Sequence, residues 1–481
     1  MLSFAALPRA QVQSQGLSKT WNPLCSQKAY EPRIQAPYVS WKRSLLGAAV
    51  AISTKRRFNP PASKQASHGS EVSAGNSQAP TLGHAVLLLT GFFCWAMSGA
   101  ANEATGLFFP QLLHDFAVNP AQVGLAATTF TLGNACGLVL GGGAQTGRRR
   151  LALTGLLIAI ASSILLLMAS RFEMLLLART CLGLAAGLFT VSVPAMIAEG
   201  LPKKKAEAYL ATYPSGWPTG AFVAILMAGS HWRWALGIGP LIAGLLLLPL
   251  LLWLPESPQY LLMKGRREEA TQALKKLGTR EEEVASTDPD GTKTESSAIP
   301  FRRLAATLMC RHAASTMVKM WLPVWLGTHG RVGSAVAAML LMYVLEALGI
   351  LVTSRIIAGA DGDETLARGA RLSLVAGCFA TMGCLVCQGN VLAAGLLGAI
   401  HLIAQANSYN LLMAYATCNC STADRSRTIS RLNLLSFLSG SLVPSVLGML
   451  VTVHNGSFLH VERVLLASAG LYGVAATLMP R

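Results

Sequence analysis

Several ionisable side chains fall inside otherwise apolar sequence, among them Glu103, Arg179, Lys319, Glu346 and His401. An ion in hydrocarbon costs on the order of 2.5 to 3.5 kcal/mol even on the forgiving insertion scales, so each needs a partner or a function. Glu103 follows Asn102 and sits roughly 10 Å along a helix from Pro110. A carboxylate so placed can take up and release a proton if a polar cavity reaches it, and an acid capped at the outer end of a helix is the equal alternative. Lys319 and Glu346 lie near the middles of consecutive apolar stretches, where a mutual ion pair is natural. A pair that only neutralises itself is the commoner case. The functional version is an anionic solute that competes with Glu346 for Lys319, making binding and conformational change one event. Arg179 fits a structural or relay role. His401, Gln405 and Ser408, at i, i+4 and i+7 with Asn407, Tyr409 and Asn410 beside them, make a hydrogen-bonding stripe. Such a stripe suits a cavity wall or the contact between two helices. Trp95, Trp217, Trp321 and Trp325 suit the same route or an interfacial belt.

The elements that hold these groups are apolar blocks of about 20 residues, the length that crosses a hydrocarbon core. The chain of 481 residues is 52% hydrophobic and 13% charged, with a mean hydropathy of +0.46, too apolar for a surface that must face water. Spans are expected near 84–109, 121–143, 150–169, 173–198, 206–230, 233–254, 305–327, 333–356, 371–389, 391–416, 428–452 and 463–479. The fold class is an all-α membrane protein of twelve transmembrane helices in two six-helix bundles. The bundles are expected over 81–261 and 305–481, joined by a linker over 262–304. Pro218 with Gly220, and Pro444 with Gly448, are expected to bend their helices.

The formal charge of +17 could suggest nucleic acid, but its distribution excludes that reading. Residues 1 to 80 hold ten Lys or Arg against Glu31 and Glu71, so 10 − 2 gives +8 there. This Ser-rich, basic segment is expected to be disordered, and its composition fits an organellar transit peptide and a plain basic tail equally. The remaining cations cluster in alternate loops: Arg148 to Arg150, Lys203 to Lys205, the linker, and Arg425, Arg427 and Arg431. That bias places both termini on the cytosolic or stromal side, of a plasma or organellar membrane. The sequon at Asn455 falls in a short outer loop. Cys384 and Cys387 form a C-x-x-C inside an apolar block, where they read as small packing residues. No phosphate loop, metal-ligand cluster or nucleophile motif stands outside a span, so neither enzyme, metal nor cofactor is expected.

Local motifs make the pattern more specific. Pro255-Glu256-Ser257-Pro258-Gln259-Tyr260-Leu261, then Lys264-Gly265-Arg266 and Glu268-Glu269-Ala270, resembles the P-E-S-P-R-W-L, K-G-R, E-A signature of the sugar porter, organic ion and synaptic-vesicle-like branches of the major facilitator superfamily. Arg179, Gly183 and Gly187 resemble that superfamily's R-x-x-x-G-x-x-x-G, and Pro194 to Glu199 its P-x-x-x-[AS]-E. After the second span, Gly147-Arg148-Arg149 is similar to the end of the gate motif G-x-x-x-D-[RK]-x-G-R-[RK]. Leu140 and Ala144 stand where the motif has its first glycine and its acid. The resemblance therefore implies gating or conformational roles for Gly147, Arg148, Arg149, Glu199, Glu256 and Arg266, in an incomplete charge network. Arg311-His312-Ala313-Ala314-Ser315 lacks the Q-Q-L-S-G of true sugar porters, which argues against hexose. The exit from the first span, Pro110 to Phe116, is similar to that of aromatic acid symporters, whose two upstream acids would fall at Ser98 and Ala101.

The resemblance implies a carrier, functional as a monomer in a lipid bilayer, that moves a small organic solute by alternating access, with or without a coupled proton. Its substrate and proton pathway is expected to include Asn102, Glu103, Arg179, Lys319, Glu346, His401 and Gln405. The rivals are a substrate sensor of the same fold, expected to carry a signalling tail where Arg481 instead closes the last span, and a membrane subunit that acts as a binding partner.

Overall fold

The computed structural model describes residues 81–143, 146–201, 203–227, 230–279, 300–329, 332–358, 363–387, 390–419, 422–446, 449 and 461–479. Outside the described residues lie the expectations made for 1–80, Ala144, the linker over 280–299, Gly448 and the sequon at Asn455.

In chain order the helices are α1 (Leu82–Leu107), α2 (Phe109–Phe116), α3 (Pro120–Gly143), α4 (Arg148–Met168), α5 (Phe172–Gly200), α6 (Lys203–Thr212), α7 (Gly216–Leu226), α8 (Gly239–Trp253), α9 (Pro258–Met263), α10 (Arg267–Leu277), α11 (Phe301–His329), α12 (Val332–Ala358), α13 (Asp363–Val386), α14 (Val391–Asn419), α15 (Thr422–Ser441) and α16 (Val461–Leu478). A 3-10 turn over Tyr213–Ser215 joins α6 to α7 as one broken span, and a π-helical turn over Trp234–Ile238 leads into α8. Counting α6 with α7, these helices supply twelve spans in two six-helix bundles, with α2, α9 and α10 outside the count. Among the described residues eight helices are long and apolar enough to cross a membrane on length and composition alone. The other four spans fall short for readable reasons. Pro214 interrupts the fifth, α11 carries Arg302, Arg303, Arg311 and Lys319, α15 opens on polar sequence, and the apolar run in α16 is short.

Large apolar side chains face outward, while several ionisable ones are buried within. Phe379 and Val386 are 71% and 81% exposed, whereas Glu346 and Arg179 are 1% and 0% exposed. Such an exterior suits lipid, where helices satisfy their own peptide groups.

Glycines let the helices of the first bundle touch backbone to backbone. A Cβ on Gly183 of α5 would run into the carbonyl of Phe130 on α3, and one on Gly187 into the carbonyl of Asn134. Gly99 of α1 and Gly220 of α7 face the carbonyls of Trp217 and Ala96 in the same way. Gly220, expected to bend its helix, is a crossing residue, and the break in that span lies upstream at Tyr213–Ser215.

The hydrophilic interval after α8 is partly helical. In α10 the spacing of Ala270, Ala273, Leu274 and Leu277 makes one apolar face, all of it buried. Glu268 and Glu269 suit the positive N-terminal end, Lys275 and Lys276 the negative one, and Gly278 ends the helix with φ +76°. Beyond that cap, Thr279 donates to the Gly200 carbonyl at 3.0 Å and contacts the His84 ring at 3.0 Å. The helix is thereby tied to the start of α1 and the end of α5.

At the opposite end, Asp115 on α2 clamps the loop that enters the sixth span. Its carboxylate accepts from Trp232 Nε1 at 2.9 Å and faces His231 Nε2 at 2.9 Å, with Arg233 at 3.9 Å. Burial alone would raise its pKa, but the hydrogen bonds from Trp232 and His114 and the charge of His231 outweigh burial and hold it below the ordinary 3.8. A lowered folded value means stability that is complete above the ordinary value and lost as pH falls through the folded one. Asp115→Asn is expected to cost about 1 kcal/mol at neutral pH. Thermal unfolding in detergent should show that deficit at pH 7 and a smaller one near pH 3.

Candidate functional site

The two bundles meet at two levels along α3, against α15 and the residues that follow it. Toward one end Thr128 Oγ1 lies 2.8 Å from Ser445 Oγ, and Gly124 sits against the Pro444 carbonyl. Toward the basic end Gly142 abuts Ser430. A cavity of about 170 Å³ lies between the bundles, lined from both, with Asn102 and Glu103 on α1, Trp217 on α7, Lys319 on α11, Glu346 on α12 and Gln405 on α14 among its walls.

Glu103 is the centre of the site. One carboxylate oxygen accepts from Trp217 Nε1 at 2.9 Å, Lys319 Nζ at 3.2 Å and Asn102 Nδ2 at 3.4 Å. The other accepts from the Tyr343 hydroxyl at 3.1 Å. Trp217 and Asn102 belong to the first bundle, Lys319 and Tyr343 to the second. Lys319 Nζ also lies 3.7 Å from Glu346 Oε1, so one ammonium serves two carboxylates. The pairing read from sequence between Lys319 and Glu346 is therefore present but secondary. Glu103 is 8% exposed and forms the shorter bond, which sets aside its reading as a capped outer-end acid.

Gln405 continues the network. Its amide nitrogen donates to Glu346 Oε1 at 3.1 Å, while its oxygen accepts from Arg311 Nη1 at 2.9 Å and Ser315 Oγ at 3.0 Å. A carboxylate on one side and a guanidinium on the other fix which way the amide points. Arg311 lies over the Tyr409 ring, 5.1 Å from its centroid.

Two expected pathway residues stand outside the cavity. Arg179 is fully buried, donates to the Ala101 and Ala126 carbonyls and lies over Phe130, which binds α1, α3 and α5 together. His401 is also fully buried, with Nδ1 2.9 Å from Thr381 Oγ1 on α13 and its ring edge-on to Tyr472 on α16. Ser408 donates to the Gln405 carbonyl within its own helix, whereas Asn407 accepts from Thr353 and joins α14 to α12. Tyr409 and Asn410 do line the cavity, as do Trp95 and Trp217. The side chains of Trp321 and Trp325 lie outside the description.

Sequence reasoning missed Tyr343 and Arg311. Both carried a signal: Tyr343 precedes Glu346 by three residues, and Arg311, Ser315 and Lys319 share one helix face at i, i+4 and i+8.

The motif residues gather at the basic end. Arg148 Nε lies 3.3 Å from Glu199 Oε1, whose other oxygen accepts from Ser257 Oγ. Glu256 accepts from the backbone nitrogens of Arg149 at 2.8 Å and Ser257 at 2.9 Å, and it fills the space that a Cβ on Gly147 would need. The Arg149 side chain donates to the carbonyls of Leu251 and Leu252. These contacts brace α4, α5 and α8 within one bundle. Arg266 is not among them; it pairs with Glu269 on the exposed face of α10 at 2.5 Å.

Known proteins place this architecture. The chain is 32% identical over 154 residues to the probable inositol transporter 2 of Arabidopsis thaliana, covering 30% of this chain and 26% of that protein. It is 33% identical over 183 residues to the major myo-inositol transporter IolT of Bacillus subtilis, covering 36% and 38%. The galactose-proton symporter of Escherichia coli is 29% identical over 175 residues, covering 35% and 38%. The matched region thus spans from a quarter to under half the length of these relatives. The fold matches the xylose transporter XylE from E. coli, in a partially occluded inward open conformation, with a TM-score of 0.65 and 16% identity over 82% of this chain and 96% of that one. The family model described as Major Facilitator Superfamily matches residues 91–444, most of the twelve-helix body, and the chain belongs to that superfamily.

Proposed function

We propose that the protein is a secondary transporter that moves a small organic solute by alternating access and couples it to a proton at Glu103. The observation that carries this reading is a carboxylate of one bundle held by Lys319 and Tyr343 of the other, inside the cavity between them. Two carboxylates around one ammonium leave the cluster with one net negative charge, which a single proton cancels. Protonated Glu103 gives up its ion pair with Lys319, and the bond that ties the bundles weakens as the proton arrives. Rocking of the bundles and proton uptake then become one event. The bracing at the basic end, through Arg148, Arg149, Glu199 and Glu256, keeps the first bundle rigid while it rocks.

The relatives named for inositol transport and for galactose-proton symport support this reading, and nothing in the comparisons favours a sensor. The bias of the loop cations supports both termini lying on the cytosolic or stromal side.

The test is uptake into liposomes, screening labelled anions, sugars and nucleobases with and without a pH gradient. For the solute so found, Glu103→Gln is expected to abolish pH-driven accumulation and to spare exchange. Unaltered pH-driven uptake would remove Glu103 from the mechanism.

A further inference from the structure

We infer that the solute is an organic anion and that Arg311 receives its carboxylate or phosphate group. The inference rests on reading the cavity as the solute site. Arg311 lines the cavity and is 4% exposed, in a region where a guanidinium needs either an anion or a full set of acceptors. It has neither. Its protein partners are the backbone carbonyl and the side-chain oxygen of Gln405, both through Nη1 at 2.9 Å, and the face of Tyr409. Its Nε is buried without a hydrogen-bond partner.

The two carboxylates of the cavity do not serve it. Glu103 and Glu346 converge on Lys319, and among the described residues no carboxylate pairs with Arg311. Gln405 keeps the two charge systems apart, with its oxygen toward Arg311 and its nitrogen toward Glu346. The amide is neutral, so it relays orientation without cancelling charge. The cavity therefore has a proton-accepting end at Glu103 and, at Arg311, a cation that no carboxylate contacts among the described residues, with Ser315, His312 and Tyr409 around it. The proton that neutralises the Lys319 cluster leaves Arg311 as the cavity's surplus positive charge. A guanidinium presents its donors in a planar fork that matches carboxylate and phosphate oxygens. A neutral polyol, by contrast, leaves the guanidinium without a counter-ion. Charge thus separates this chain from relatives whose names carry neutral solutes.

Three ligands on one carbon frame provide the test: glucose, gluconate and glucose 6-phosphate, titrated against the full chain in lipid nanodiscs. Quenching of tryptophan fluorescence reads binding, since Trp95 and Trp217 line the cavity. At least one of the two anions is expected to bind about tenfold or more tighter than glucose, the scale of a charge-assisted hydrogen bond, and which one does so separates carboxylate from phosphate. Arg311→Gln should erase the difference and Arg311→Lys should keep part of it. Gln405→Glu, which gives Arg311 a carboxylate of its own, should also erase it in a protein that still carries the cation. Glucose binding as tightly as either anion, binding of none of the three, or a preference that survives Arg311→Gln overturns the inference. Anion-selective binding with no uptake of any solute overturns the transport reading and leaves this one standing, whereas uptake confined to glucose does the reverse.

Discussion

Lys319→Met is expected to lower stability by about 3 to 5 kcal/mol and to abolish uptake, because it strips the counter-ion from two buried carboxylates at once. Among the described residues Lys319 is the one cation that both Glu103 and Glu346 reach, at 3.2 and 3.7 Å. Without it, two buried like charges face each other, and one must take a proton or the bundles must part. Glu103→Gln removes one of those charges, keeps an oxygen to accept from Trp217 and turns an NH2 donor toward the Tyr343 hydroxyl, which can accept it. The double variant should therefore recover part of the loss, with a coupling energy of about 1 to 3 kcal/mol in a double-mutant cycle. Glu346→Gln should rescue less, in line with its longer separation from Lys319. Unfolding midpoints in detergent, measured for wild type, the single variants and the doubles, give both coupling energies. Additivity within about 0.5 kcal/mol for Lys319 and Glu103 would mean that the pair carries no energy of its own.

What the sequence made legible was whatever depends on one helix at a time. Span lengths, the bias of loop cations and the glycine spacing of α5 are local, and the structure has helices at each expected span. The pairing of Lys319 with Glu346 was accessible because the two sit on consecutive helices. Glu103 lies on a helix 216 residues away in sequence from Lys319, and no periodicity reports a contact between bundles. The stripe on α14 shows the limit from the other side. His401 and Gln405 are one turn apart, yet four residues advance about 6 Å along the axis and turn about 40°. That displacement takes His401 out of the cavity and sets it against Thr381 and Tyr472, while Gln405 stays in the wall. Arg266 diverged for a different reason: the motif that contains it starts α10, and an i, i+3 neighbour, Glu269, captures the guanidinium at the surface.

Gly183→Ala is expected to cost about 3 kcal/mol, at the upper end for overpacking, because the added methyl meets a backbone carbonyl that cannot rotate aside. The carbonyl belongs to Phe130, and the neighbouring crossing at Gly187 meets that of Asn134, with the Cα of Gly137 2.7 Å from where its own Cβ would stand. Retreat of α5 from α3 is opposed by Arg179, which donates to the Ala101 and Ala126 carbonyls and would be pulled off both. The strain and the loss of those bonds therefore add, and Gly183→Val should be worse than Gly183→Ala. Gly473 of α16 supplies the contrast, since a Cβ there has nothing within 4 Å. Gly473→Ala should be neutral or stabilising by up to about 1 kcal/mol, through helix propensity and a less flexible unfolded chain. Thermal unfolding in detergent and the yield of monodisperse protein rank the variants. Equal effects at Gly183 and Gly473 would show that helix propensity, and not the close crossing of α3 and α5, is what these glycines govern.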